Sequence, residues 1–343
     1  MKTYSSPYVT PSASTNLLML NVIIALIPGT IAYIWFFGMG LIVNLVIAIS
    51  SALLFETAIL LLRKRPLKPY LSDYSAIVTA WLFALCIPMH SPWWLVVVGI
   101  GFAMIAGKHL YGGLGFNPFN PAMVGYVVLL ISFPVEMTTW YLPLQISPDS
   151  LTLVQAFSYS LGLVDIHQWD ALTSATPLDQ YKTSLSLNMM ISEIRQSPVF
   201  GSFAGVGWEW IANWWFIGGL YLLFTKTIRW HIPVAVILGM LILSFSFYIV
   251  DPDSVASPGF HLFSGGLMLG AFFIATDPIT ASTTVKGRII YGFMIGALVY
   301  IIRSWGGYPD GVAFAVLLAN MSVPLIDYYT QPRVFGVNPP EDH

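Results

Sequence analysis

Long apolar runs dominate this chain and leave few ways for it to fold. About ten runs approach or reach the roughly 20 residues that a helix needs to cross a bilayer. They start near Leu17, Leu41, Tyr74, Trp93, Ala122, Asn213, Ile232, Phe263, Ile289 and Val312. Only 9% of the 343 residues are charged, whereas soluble domains carry roughly 25%. The sequence therefore predicts an all-α integral membrane protein with about ten transmembrane helices.

The charge balance and the cysteine count exclude several classes of protein. The chain has 14 Lys and Arg against 16 Asp and Glu, a net charge of −2, so it lacks the basic surface of a nucleic-acid-binding protein. The single cysteine, Cys86, lies inside an apolar run. It can form no internal disulfide and no Cys-ligated cluster held by this chain alone. We expect the partners to be membrane lipid, other membrane subunits and small molecules, and no nucleic acid.

The basic residues predict how the chain is oriented, because short cytoplasmic loops retain Lys and Arg. With the N-terminus inside, eleven of the fourteen fall on the cytoplasmic side. These are Lys2, Arg63, Lys64, Arg65, Lys68, Lys108, Lys226, Arg229, Lys286, Arg288 and Arg333. Only Lys182, Arg195 and Arg303 fall outside. The pattern predicts that both termini are cytoplasmic and that the long loop lies on the outer side.

The two halves of the chain resemble each other. Residues 101–130 and 292–320 both read as helix, Gly-Gly turn, Pro-bearing loop and helix. Because each half holds an odd number of spans, the two copies would lie in opposite orientations, as in many transporters. We predict a first five-helix repeat at 1–134, a long loop at 135–210, a second repeat at 211–330 and a tail at 331–343.

Two of the runs are interrupted by proline, at Ile87-Pro88 and at Asp277-Pro278. Proline donates no backbone hydrogen bond and frees a carbonyl that must find another partner, so we expect broken helices there. Two interpretations stay open. The breaks could frame a ligand pocket between the repeats, or they could only shape helix packing.

The long loop contains the sequence Thr-Ser-Ala-Thr-Pro-Leu at 173–178. Taken alone, it is a small-residue turn closed by Pro177. It resembles the flavinylation motif of the RnfD/NqrB family of membrane redox subunits, in which the last Thr carries FMN through a phosphoester bond. The resemblance implies covalent FMN at Thr176, with Ser174 and Ala175 in the motif. Ser174 stands where the motif commonly has Gly.

The resemblance extends over nearly the whole chain. It includes the signatures Gly-Phe-Asn-Pro-Phe-Asn-Pro-Ala at 115–122 and Ala-Thr-Asp-Pro at 275–278, and the plan of five helices, loop and five helices. Length and compactness are closest to the RnfD branch. A transferase must reach the acceptor, so we expect Thr176 in an exposed, extended segment, with Pro177 keeping it out of helix. A second Thr-rich run at 280–284 lacks the Ala-Thr-Pro-Leu ending and falls on the cytoplasmic side.

The resemblance implies the function of a subunit without independent activity. It would belong to an ion-translocating ferredoxin:NAD oxidoreductase (Rnf) complex in the bacterial inner membrane, with the flavinylated loop periplasmic. It would relay electrons through FMN and couple their transfer to the movement of Na⁺ or H⁺. The implied partners are the A, B, C, E and G subunits, especially the flavoprotein G. The alternative from another class is a channel or secondary transporter for a small solute, which would leave the 173–178 loop without a task.

Polar residues within the apolar runs are the remaining candidates. Subunits of this family also hold non-covalent riboflavin between the repeats, which implies Asn117, Asn120 and Asp277 as its contacts. These residues could equally cap the broken helices. Glu56 lies well inside the second run, where an ionisable group is costly; it is either functional or a hydrogen-bonded glutamate at a helix interface. No group of carboxylates has the ligand density of a dedicated Na⁺ site.

Overall fold

The computed structural model describes residues 14–147, 151–163 and 173–332. Within these ranges the protein is mostly α-helical. The first helices are α1 (Thr15–Phe37), α2 (Gly40–Leu62), α3 (Leu67–Leu71), α4 (Ser75–Cys86), α5 (Trp93–Phe102) and α6 (Pro121–Ser132). The helices after the long loop are α11 (Trp208–Phe224), α12 (His231–Val250), α13 (Pro258–Phe263), α14 (Leu267–Leu269), α15 (Val285–Trp305) and α16 (Val312–Thr330). Each predicted apolar run contains one of these helices.

Five of the described helices are long and apolar enough to cross a membrane: α1, α2, α12, α15 and α16. Two shorter apolar helical segments, Trp93–His109 and Pro121–Ser132, accompany them. The predicted class, an all-α membrane protein, agrees with these helices. Most of the predicted cytoplasmic tail, 333–343, and the N-terminal residues 1–13 lie outside the described residues.

Two helices change to π-helical geometry before they end. The helix α5 continues as a π-helical segment, Ala103–His109, and α14 continues as Gly270–Ile274. The predicted interruptions fall where expected, because α4 ends at Cys86 and the second π-helical segment ends at Ile274. Such π-helical turns are rare and occur frequently at functional sites.

The long loop is more structured than a plain loop. It contains α7 (Pro134–Thr138), β1 (Trp140–Tyr141), α8 (Leu153–Ser160), β2 (Thr173–Ser174), α9 (Pro177–Ser186) and α10 (Ile191–Ile194). The strands pair antiparallel, with Trp140 opposite Ser174. A purely α-helical description is therefore incomplete. The helix α11 begins at Trp208, close to the predicted end of the loop at 210.

The two halves meet where α1 crosses α11. Glycines allow this approach: a Cβ on Gly29 would lie 2.2 Å from the ring of Trp215, and a Cβ on Gly218 would lie 2.3 Å from the carbonyl oxygen of Ala25. Small residues are the usual means of close helix packing in membranes. Two cavities lie along the boundary between the halves.

Candidate functional site

Thr176 lies at the start of α9, as its N-cap residue. Its backbone is extended, with φ −64° and ψ 158°, and its hydroxyl oxygen accepts a hydrogen bond of 3.2 Å from the amide of Asp179. Pro177 occupies the first helical position, where the missing N–H costs nothing. The expectation that proline keeps Thr176 out of helix is confirmed. The neighbouring Ser174 lies in β2 without positive φ, so glycine is not required there.

Thr176 is half-buried, which differs from the exposed segment that we expected. The cause is the residues that follow it. Pro177 packs on Gly205, where a Cβ would lie 2.1 Å from the proline ring, and Leu178 packs in a small core with Ala204 and Phe260. Burial of these apolar side chains fixes the beginning of α9 against the second half of the chain.

Lys182 fastens the same helix further along. Its ammonium donates hydrogen bonds to the carbonyl oxygens of Gly306 and Tyr308, the latter at 3.2 Å. Desolvation lowers the pKa of Lys182, and the Asp179 carboxylate opposes that shift. The helix α9 is therefore held to the turn between α15 and α16.

A cleft opens beside Thr176, and we call it the Thr176 cavity. Its volume is about 120 Å³, below the roughly 300–1,000 Å³ of typical small-molecule sites, and it is partly open to solvent. Aromatic side chains form much of its wall. They are Tyr33, Tyr126, Trp140, Trp208, Trp215 and Tyr308.

An ion pair between buried Arg303 and partly exposed Asp310 lies beside the Thr176 cavity, and Asp310 lines it. Arg303 contacts Asp310 at 3.1 Å and donates hydrogen bonds to the carbonyl oxygens of His261 and Ser264, at 2.6 and 2.9 Å. Asp310 also accepts a 2.7 Å hydrogen bond from the amide of Gly266. Carbonyls at the end of α13 are thereby satisfied, as buried backbone groups must be.

We call a second cleft the Asn117 cavity. It lies near the start of α4, whereas the Thr176 cavity lies near the end of that helix. The Asn117 cavity has a volume of about 70 Å³ and is partly open to solvent; Asn117, Asn120 and Asp277 all line it. The structure therefore brings together the three polar residues singled out from the sequence. It keeps them apart from Thr176, which lines only the other cavity.

Two of these three residues cap helix ends and turns. Asn120 is the N-cap of α6, and its side-chain oxygen accepts a 3.3 Å hydrogen bond from the backbone amide of Met123. Its side-chain nitrogen donates to the carbonyl oxygen of Ile274. Asp277 accepts a 3.1 Å hydrogen bond from the hydroxyl of Thr280. The capping interpretation is thus observed for both residues. It leaves a ligand role open, because both still line the cavity.

Asn117 differs from the other two. Its amide nitrogen donates to the carbonyl oxygen of Phe119 at 3.1 Å, but its side-chain oxygen is buried and accepts no hydrogen bond from the described residues. A buried acceptor without a partner costs about 1–3 kcal/mol. Such an atom at the wall of a cavity is suited to a ligand that carries an N–H or O–H group.

The ion pair between Glu56 and Lys108 was not predicted from the sequence. The ammonium of Lys108 lies 2.7 Å from Glu56 Oε2 and 2.9 Å from the hydroxyl of Ser75, and both charged side chains are almost fully buried. His109 places its Nε2 3.3 Å from the other carboxylate oxygen. The count of basic residues treated Lys108 as a cation of a cytoplasmic loop. In the structure it is buried and paired instead. The sequence feature that could have indicated its burial is the position of Lys108 near the end of an apolar run.

The second Thr-rich run is fully used in local contacts. Ser282 and Thr283 donate hydrogen bonds to the carboxylate of Asp327, and Thr284 caps α15 through the amide of Gly287. Only the bond of Thr284 is a helix cap, and the other two join the run to α16 through Asp327.

Comparisons with known proteins agree with one another. The family described as "NQR2, RnfD, RnfE family" matches residues 2–336. A Vibrio cholerae protein, named as the D subunit of an ion-translocating oxidoreductase complex, is 54% identical over 341 residues, covering 97% of this chain and 98% of that protein. Proteins with the same name from Aliivibrio salmonicida and Salmonella paratyphi B are each 52% identical, over 347 and 345 residues, and cover 97% of both chains.

Proposed function

We propose, from the premise that the chain belongs to the NQR2, RnfD, RnfE family, that it is the flavin-carrying membrane component of an Rnf-type complex. The relatives are named as the D subunit of an ion-translocating oxidoreductase complex, which supports a role in a membrane redox complex. In this role the chain relays electrons through covalent FMN on Thr176, between ferredoxin and NAD chemistry carried out in other subunits. The electron transfer is coupled to movement of Na⁺ or H⁺ across the membrane.

The position of Thr176 carries this proposal. Its hydroxyl lies at the N-terminus of the ten-residue helix α9 and at the wall of a cavity lined by aromatic side chains. A phosphate esterified to this oxygen would lie at a helix N-terminus, where backbone N–H groups and the helix dipole favour an anion. The attached ring system would enter the Thr176 cavity.

The residues around the Thr176 cavity fit a flat aromatic group. Trp208 meets Tyr33 and Trp140 edge-on, with ring centroids 5.8 and 5.6 Å apart. These rings supply apolar walls that exclude water and orient a stacked ring. When bound, FMN supplies the redox chemistry, and the chain supplies its position and a dry setting.

The Asn117 cavity is the proposed place of a second flavin, non-covalent riboflavin. The unpartnered oxygen of Asn117 and the carboxylate of Asp277 offer acceptors, and the amide of Asn120 lies at the same wall. A flavin carries both N–H donors and carbonyl acceptors along one edge, so these groups fit it. We propose that electrons pass between the two cavities within this chain.

The full membrane plan is also a proposal. The helices α1, α2, α4, α5 and α6 have counterparts in α11, α12, α13–α14, α15 and α16, in the same order and with an interruption after the third of each set. We propose ten spans in two inverted repeats. The basic residues then place both termini in the cytoplasm and α9 with Thr176 in the periplasm of the bacterial inner membrane.

The partners follow from the name of the relatives. The other subunits of the complex are implied, and we propose A, B, C, E and G among them. The described residues hold one cysteine, Cys86, so electrons must arrive from iron–sulfur or flavin centres on other chains. We propose that the flavoprotein G faces the loop with Thr176.

In-gel flavin fluorescence of the denatured protein tests this function. The protein is produced in cells that contain the flavin transferase, as wild type, Thr176→Ala and Thr176→Asn. Asparagine keeps an N-cap acceptor but has no hydroxyl to esterify, so this variant separates loss of the acceptor from loss of the loop structure. We expect a fluorescent wild-type band and none in either variant.

Two other results would contradict the proposal. A dark wild-type band, in cells whose other flavinylated proteins fluoresce, would remove covalent FMN and favour the channel or transporter alternative. Fluorescence that persists in Thr176→Asn would place the attachment at another residue.

A further inference from the structure

The ion pair between Glu56 and Lys108 is oriented with respect to the Asn117 cavity. Lys108 and its hydrogen-bond partner Ser75 line the cavity, whereas Glu56 does not. Both charged side chains are buried, at 2% exposure for Lys108 and 0% for Glu56. The cavity therefore faces the positive end of a buried dipole.

The ammonium of Lys108 keeps one donor for a ligand. It carries three N–H groups, and the described residues accept two of them, Glu56 Oε2 at 2.7 Å and Ser75 Oγ at 2.9 Å. A third hydrogen bond is therefore open to a molecule in the cavity. Charge-assisted bonds of this kind are roughly twice as strong as neutral ones.

Ser75 fixes the position of this ammonium. Its hydroxyl donates to Asp73 Oδ1 at 2.6 Å, and its backbone amide donates to the same oxygen at 2.8 Å. Since the hydroxyl proton is used in this bond, the oxygen of Ser75 is free to accept from Lys108. The cation is thus held between α2 and the start of α4.

The wall of the cavity also carries a carboxylate, the side chain of Asp277. Asp277 lines it from the second half of the chain, next to the end of the second π-helical segment. Its carboxylate already accepts hydrogen bonds from Thr280 and Ile279. A ligand with a carbonyl at one end of a polar edge and an N–H group nearby would satisfy both Lys108 and Asp277.

We propose that Lys108 contacts the acceptor edge of the molecule bound in the Asn117 cavity and raises its reduction potential. This inference rests on the proposed function, because it takes that molecule to be the second flavin. Each electron that arrives from the flavin on Thr176 makes the bound ring more negative, and no bond forms or breaks. A cation at short range in a medium of low dielectric constant stabilises the more negative state.

A redox titration of the assembled complex tests the inference with a double variant, Glu56→Gln with Lys108→Met. The double change removes both charges of the pair, so neither Glu56 nor Lys108 leaves a buried charge without its partner, and the protein has a route to fold. We expect the one-electron reduction equilibrium of the non-covalent flavin to become about tenfold less favourable, a fall of about 59 mV. The covalent flavin on Thr176 lies in the other cavity and should keep its potential.

Lys286→Met is the matched control, because Lys286 is an exposed cation that lines neither cavity. It should leave both potentials unchanged. Loss of riboflavin from the double variant, with covalent FMN retained, would also support the contact with Lys108.

An unchanged potential for bound riboflavin in the double variant would overturn the inference and leave the proposed function intact. A wild-type complex that releases no riboflavin on denaturation would instead contradict the second flavin itself. A fall of the same size in Lys286→Met would show a non-specific charge effect and would also overturn the inference.

Discussion

The ion pairs Glu56–Lys108 and Arg303–Asp310 occupy similar places in the two halves of the chain but have different roles. Lys108 and Arg303 each lie within one helical turn before a Gly-Gly pair. Arg303 uses its planar fork on Asp310 and on two carbonyls at the end of α13. Among the described residues, Lys108 donates hydrogen bonds to Glu56 and Ser75, and it lines a cavity. One cation anchors a helix end, and the other keeps a donor for a ligand.

The chemistry of the two cations suits this division. Arginine stays charged and holds several acceptors in a fixed geometry, whereas lysine is a compact point charge on a flexible stem. The two pairs also differ in their exposure to solvent. The Asp310 side chain is 26% exposed, whereas the Glu56 side chain is 0% exposed. A charge left unpaired would therefore cost more at Glu56 than at Asp310.

The largest effect is expected from Lys108→Met alone. It leaves the buried Glu56 carboxylate without its cation, and breaking such a pair costs about 3–5 kcal/mol of unfolding free energy. Denaturant titration in detergent micelles measures the loss. Adding Glu56→Gln should recover most of it; a double variant no more stable than the single one would show that the pair does not set stability here.

Arg303→Lys should have the next largest effect, about 2–3 kcal/mol. The charge is kept, but an ammonium cannot reproduce the fork that serves Asp310 and the carbonyls of His261 and Ser264 together. The same titration applies. A variant as stable as wild type would mean that charge alone, and not the fork, holds the end of α13, and the contrast with Lys108 would fail.

Asp310→Asn should cost less, about 1 kcal/mol. The amide oxygen can still accept from Gly266, and water reaches this side chain, so the lost attraction to Arg303 is partly screened. Glu56→Gln is the matched change at the other pair. If Asp310→Asn is the more destabilising of the two, solvent exposure does not explain the difference between the pairs.

The smallest effect is expected from Lys182→Gln, below about 1 kcal/mol. This side chain is only partly buried, and its two hydrogen bonds join α9 to the turn after α15. Hydrogen exchange of the amides of α9 should become faster while the rest of the protein is unchanged. Unaltered exchange in α9 would show that the packing of Leu178 alone holds the helix.

Local signals in the sequence predicted the helices and part of the candidate site. Apolar runs located the helices because their length reflects the bilayer, and prolines located the ends of α4 and of the second π-helical segment. Asn117, Asn120 and Asp277 meet at one cavity, as the interpretation of the broken helices implied. Their role as flavin contacts, like that of Thr176, stays a prediction.

Contacts between distant residues could not be predicted in the same way. Glu56 and Lys108 are separated by 52 positions, and no periodicity in either run indicates that they pair. The strand pair β1–β2 is too short for an alternating pattern to show. The half-burial of Thr176 depends on Gly205 and on the small core around Leu178, which form only when the loop folds onto the second half.

The cap at the start of α9 is compatible with the proposed attachment of FMN to Thr176. Thr176 Oγ1 accepts the Asp179 amide through a lone pair, and a hydroxyl oxygen has two of these. An ester at this oxygen replaces the proton and leaves an acceptor in place. The proposed attachment of FMN would therefore let the loop keep the same N-cap hydrogen bond before and after the ester forms.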